Sequence, residues 1–177
     1  NYFYYVVISL TGSGCNAITS EVAEVIVVED PIITTQPLPS QTLCQGTTPQ
    51  NLEVVVSGGL GTTYNYQWFS NTTNTNSGGT LITGATNNIF TPPTTAVGTL
   101  YYYCEITQTA SGCNVVSDTA EVIINAAPAF TSQPISQTIC FGESFNTLSV
   151  GYTNGVGTPT YQWYSNTVND NTTGTAI

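Results

Sequence analysis

Apolar and polar residues alternate along much of this chain, and a period of two predicts half-buried strands. Leu52, Val54 and Val56 share one face of a run, with Glu53 on the other. Tyr64, Tyr66 and Trp68 alternate with Asn65 and Gln67. Tyr102, Cys104 and Ile106 point one way, and Glu105 and Thr107 the other. Ala120, Val122 and Ile124 complete the set, with Glu121 outward. Turn-rich stretches, notably Asn71–Gly79 and Thr91–Gly98, separate these runs.

The runs recur, and the recurrence decides the expected architecture. Ser111-Gly112-Cys113-Asn114 repeats Ser13-Gly14-Cys15-Asn16, and Ala120-Glu121-Val122-Ile123 repeats Ala23-Glu24-Val25-Ile26. Gln41-Thr42-Leu43-Cys44 returns as Gln137-Thr138-Ile139-Cys140. Tyr66-Gln67-Trp68 returns as Tyr161-Gln162-Trp163. The unit is about 96 residues, near the ~100 of an immunoglobulin-type sandwich. The expected class is therefore all-β, with tandem immunoglobulin-like β-sandwich domains in an extended array. Residues 1–29 read as the F and G strands of a truncated repeat, 30–125 as a complete repeat, and 126–177 as the N-terminal part of a further truncated one. That phase predicts a window cut from a longer array. Pro31 and Pro128 mark the joints, which are short and poor in Gly, so a semi-rigid rod is expected.

Within the complete repeat the runs follow the order of immunoglobulin strands B, C, F and G. Trp68, and Trp163 in the next repeat, take the place of the core tryptophan of strand C. Tyr102, two residues before Cys104, matches the tyrosine corner of strand F. Val54 and Val150 stand where strand B of an antibody domain carries its cysteine. All five are read as core rather than as binding or catalytic groups.

The five cysteines follow from this register. Cys44 lies at the turn between strands A′ and B, about 20 Å from the level of Cys104 at roughly 3.3 Å per residue. A disulfide needs Cα atoms within about 7 Å, so the usual B–F bridge is not expected. Cys104 is read as a buried free thiol acting as a small hydrophobe. Cys15 and Cys113 fall on F–G hairpins, at the opposite end of a unit from Cys44 and Cys140. In an end-to-end array those two ends meet, which makes Cys15, Cys44, Cys113 and Cys140 candidates for interdomain disulfides with partners outside this sequence. The alternatives are a Cys44–Cys113 bridge within one unit, or unpaired thiols.

Composition then excludes functions. The 177 residues contain no Lys, Arg or His and ten Asp plus Glu, a net charge of −10. Without cations the chain cannot neutralise phosphates, so nucleic acid is not an expected partner. Anionic membrane surfaces are disfavoured likewise, and no apolar run approaches the roughly 18 residues of a membrane span. The commonest general bases and the imidazole metal ligands are missing, and no enzymatic activity is expected. The thiols lack zinc spacing, and the carboxylates form neither an aspartate-rich calcium loop nor a paired glycosidase site, so no cofactor or metal is expected. Asn71 and Asn171 stand in N-x-T sequons, and Thr119 in an Asp-Thr-Ala triplet that resembles a Bacteroidota O-glycosylation acceptor. Phe69, Tyr101 and Tyr103 are candidates for stacking on sugars or for strand-face packing.

The strings at 41–46, 66–72, 90–99 and 101–104 resemble repeats of giant Bacteroidota cell-surface adhesins, closest to the SprB-type gliding-motility adhesin. The resemblance extends over the whole sequence. It implies export by the type IX secretion system and display as long filaments attached to the outer membrane. It further implies movement that pulls cells over surfaces. The implied partners are neighbouring repeats, an external surface or polysaccharide, and gliding or secretion machinery reached through other regions. The competing expectation is a carbohydrate-binding or spacer module of a secreted polysaccharide-degrading protein.

Overall fold

A computed structural model describes all residues except Ser13, so the first residue of the Ser13–Asn16 motif lies outside the described residues. Four short strands come first: Tyr2–Tyr4 (β1), Val7–Ile8 (β2), Ile18–Thr19 (β3) and Ala23–Val25 (β4). The next ten are Pro31–Thr35 (β5), Ser40–Cys44 (β6), Leu52–Glu53 (β7), Val55–Gly58 (β8), Asn65–Asn71 (β9), Thr80–Leu81 (β10), Ile89–Phe90 (β11), Gly98–Thr107 (β12), Asn114–Val116 (β13) and Ala120–Asn125 (β14). Ala129–Ser132 (β15), Gly151–Thr153 (β16), Tyr164–Ser165 (β17) and Thr175–Ala176 (β18) follow. No helix among the described residues is long and apolar enough to cross a membrane.

The middle strands form a two-layer sandwich. One layer runs β10-β9-β12-β14-β6, with β13 also on β12. In the other, β5 pairs β8 and β11 pairs β7, and β7 and β8 are one extended run broken at Val54. In immunoglobulin terms the layers are C′-C-F-G-A′ and A-B-E. The switch between layers has a local cause. Pro37 and Pro39 have no N–H to give a ladder, so the chain leaves β8 and rejoins as β6, parallel to β14. Pro31, expected at a joint, opens β5 opposite Gly58 and is buried, as suits a Pro at the first position of a strand.

Between the layers lie Leu52, Val54, Trp68, Tyr102, Cys104, Ile106, Ala120, Val122 and Ile124, all buried. The period-two faces read from the sequence supply this set. Phe90 stacks on Trp68 with ring centroids 5.7 Å apart and tilts against Tyr102 at 5.3 Å. The Trp68 indole donates to the Asn87 carbonyl at 2.8 Å, which satisfies its one polar atom. Burial of each large side chain contributes roughly 1.5–3 kcal/mol, so apolar packing carries the stability of a chain that cannot form side-chain ion pairs.

The same local geometry appears on either side. β1 pairs β4 with Tyr4 opposite Ala23, and β12 pairs β14 with Tyr102 opposite Ala120. β15 and β16 reproduce β5 and β8, including the register shift, which falls between Ile33 and Thr35 in one ladder and between Phe130 and Ser132 in the other. β17–β18 matches β9–β10. Repeated sequence has given repeated register.

Candidate functional site

Three regions of the middle sandwich hold the residues singled out above: its two ends, and the outer face of the β9–β12–β14 layer. At one end, Cys44 closes β6 opposite Asn125 and is exposed. At the other, the Cys113 carbonyl accepts from the Gln108 N–H beyond the end of β12, and its side chain is half-buried. Eleven rows of the sheet separate them, about 36 Å at roughly 3.3 Å per residue, so no Cys44–Cys113 bridge can form within the unit. Cys44, Cys104, Cys113 and Cys140 all carry thiols here, and Cys15 and Cys140 are exposed. Cys104 is fully buried, and burial pushes its thiol up to about 12.

Where β13 passes into β14 the strand bulges at Ser117. This serine is buried; its hydroxyl accepts from the Cys104 N–H at 2.9 Å and donates to the Asp118 carbonyl at 2.8 Å. Ser20 does the same for Val6 and Glu21 in the first hairpin. Sequence reading missed Ser117, although its recurrence as Ser20 was a signal that could have found it.

Gln108 was missed too, and there the signal is weak, since Leu10 holds its place in the first hairpin. Its side chain is buried and fully used. Oε1 accepts from the Leu60 N–H at 2.8 Å, while Nε2 donates to the Gly58 and Gly61 carbonyls. It fastens the β8–β9 loop to the F–G hairpin end, beside Cys113. Adjacent to it an open cleft of about 450 Å³ is lined by Val54, Val56, Gly59, Tyr64, Tyr66 and Asn88 among others.

The outer face differs most from expectation. The stretch 71–79, read as a turn between strands, lies across the sheet. The Gly79 N–H donates to the Tyr103 hydroxyl at 3.0 Å, Asn76 donates to the Ser117 carbonyl, and Thr119 bonds Asn74. Asn71 organises the loop from its base, donating to Thr75 and Ser77 and accepting from Thr73. Beneath it Tyr103 is only 1% exposed and stacks on Phe69 at 5.2 Å. Tyr103 is thus packed rather than open to a sugar. Tyr101 keeps partial exposure, but its hydroxyl donates to Glu121 at 3.0 Å, and that bond, ahead of burial and the carboxylate's charge, raises its pKa.

The modification candidates divide along the same lines. The Asn71 amide is spent inside its loop, and the Thr119 hydroxyl is engaged by Asn74. Asn171 is exposed. Tyr102 is core, yet among the described residues it makes no tyrosine-corner hydrogen bond to the backbone; burial raises its pKa. Val54 and Trp68 are buried in the middle unit, Val150 is half-buried and Trp163 exposed. No group of three His, Cys, Asp or Glu able to hold a metal occurs among the described residues.

Two layers in this order, closed on a strand C tryptophan, define an immunoglobulin-like β-sandwich protein with its unit repeated along the chain. The chain belongs to the family described as a domain of unknown function, DUF8696, whose model matches residues 35–126, just over half of it. Among solved structures it is similar to Sidekick-1 immunoglobulin domains 1–5, at 22% identity and a TM-score of 0.47, over 94% of this chain and 35% of that one. Sidekick-1 immunoglobulin domains 1–4 are similar at 21% identity and a TM-score of 0.43, over 76% of this chain and 36% of that one. The chain thus spans about a third of the length of those structures. No curated protein matches it.

Proposed function

We propose that this chain is a structural and adhesive repeat segment of a long cell-surface filament, of the gliding-adhesin type exported by the type IX system in Bacteroidota. The observation that carries the reading is the return of one unit along the chain with strand register preserved, which is the construction of a rod. Stability in each unit rests on its own core, so units can be added without limit to reach. No Lys or Arg is present, so exposed loops offer nothing to trypsin-like proteases outside the cell. On this reading the partners are neighbouring repeats and an external surface or polysaccharide, with secretion and gliding machinery engaged by other regions. The chain has no catalytic role of its own. Packing of Tyr103 under its loop speaks against the alternative of a sugar-binding platform on this face. Antibodies against residues 30–125 should decorate extended structures on intact cells, and disrupting the gene should abolish spreading over agar. Signal confined to a secreted polysaccharide-degrading enzyme in the medium would overturn the proposal.

A further inference from the structure

The middle unit leaves one side of its own sandwich open, and every residue framing the opening lies between Val54 and Asn88. The cause is a short strand. β11 is only two residues long, because Thr86, Asn87 and Asn88 before it favour turns over strands. The Asn88 carbonyl accepts from the Val54 N–H at 3.0 Å, and beyond that bond β8 pairs only with β5. Between β8 and the start of β9 lies the cleft of about 450 Å³, within the roughly 300–1,000 Å³ of small-molecule sites. Val54 and Val56 line it from one layer, and the half-buried Tyr64 and Tyr66 from the other.

The wall of the cleft is set before any ligand arrives. Gly59 holds φ 72°, and a Cβ there would collide with the Gln108 side chain. Gln108 fixes Gly58, Leu60 and Gly61, and the Tyr64 hydroxyl donates to the Gly58 carbonyl at 2.8 Å, so binding needs little ordering of this loop. Polar groups remain for a ligand. Among the described residues, the half-buried Asn88 amide and Tyr66 hydroxyl have no protein partner. Val56, two residues beyond Val54, turns its N–H and C=O to the same open edge. No charged side chain lines the cleft among the described residues, and a net charge of −10 repels anions. We propose that this cleft binds a neutral saccharide, with its C–H faces against the Tyr64 and Tyr66 rings and its hydroxyls bonded to Asn88, Tyr66 and Val56. An added peptide strand fits less well, because the Val54 N–H and the Gly58 carbonyl are already held and Val56 alone is too short a ladder. The site would be the contact of the adhesive segment with polysaccharide, and for that role it rests on the proposed function.

The test is isothermal titration calorimetry of the full 177-residue chain with neutral oligosaccharides of glucose, galactose, mannose and xylose. Oligogalacturonate serves as the anionic counterpart, and a peptide of alternating valine and threonine as the strand counterpart. Saturable binding is expected for a neutral sugar and for neither counterpart. Asn88→Ala and Tyr66→Phe should each weaken it about 3- to 10-fold, the loss of one hydrogen bond. Tyr101→Phe, on the outer face, should bind as the parent does. Near-ultraviolet circular dichroism of the buried Trp68 core confirms that each variant is folded. Absence of binding to every neutral sugar, tighter binding of oligogalacturonate or of the peptide, or Asn88 and Tyr66 variants that bind like the parent would each overturn the proposal. Any of these results leaves the filament reading standing, because antibody decoration of cells does not depend on this cleft.

Discussion

Cys104 and Ser117 show how a single side chain shapes this sandwich. Ser117 replaces the ladder partner that a bulge removes, by offering its hydroxyl to the Cys104 N–H. Ser117→Ala leaves that buried donor unsatisfied and should cost about 1–3 kcal/mol, read as a lower midpoint in urea denaturation. Cys104 packs as a small hydrophobe in the core, and burial holds its thiol up at about 12. An acid whose pKa rises on folding stabilises the native state fully below its unfolded value, near 9, and loses that contribution as pH climbs toward 12. Stability should therefore fall from about pH 9 upward, ahead of the half-buried Tyr66 and the buried Tyr102, which start from 10.0. Cys104→Val, the residue type found at Val6, should flatten the fall between about pH 9 and 10 in melting curves.

At the scale of elements, the 71–79 loop decides what the outer face offers. Its approach depends on Gly79, where a Cβ would lie 2.8 Å from the Ser70 carbonyl oxygen and 2.9 Å from the Tyr103 ring. Gly79→Ala should lift the loop and expose the Phe69–Tyr103 stack. The expected outcome is faster hydrogen exchange across residues 71–79 and a loss of about 1–3 kcal/mol in stability, set by the steric conflict and the freed hydrogen bonds. A second fastening, Gln108, fixes the β8–β9 loop from the opposite end of β12. Both devices run between elements distant in sequence.

For the whole molecule, charge is the simplest lever. With a net charge of −10 and no Lys, Arg or His, side-chain electrostatics is almost purely repulsive. Raising salt from about 0.01 M to about 1 M shortens the screening length from about 30 Å to about 3 Å, so the melting temperature should rise. A chain held by ion pairs would respond in the opposite direction. Tm measured across a salt series distinguishes them.

The sequence by itself determined the strand faces, the repeat and its length, and the core. Leu52, Val54, Trp68, Tyr102, Cys104 and Ile106 are buried because the side-chain period of a strand is two, and that period is written in the order of residues. The expectation that nucleic acid is not a partner likewise rests on a count of cations. Only the tertiary structure decided what covers the outer face. Tyr103 lies on the polar side of its strand by alternation, and nothing local says that a loop leaving β9 will return across it. Gln108 and the switch of strand A between layers belong to the same class. A hydrogen bond between residues 48 apart, or a parallel pairing of Ser40–Cys44 with Glu121–Asn125, depends on which segments the packed core brings side by side.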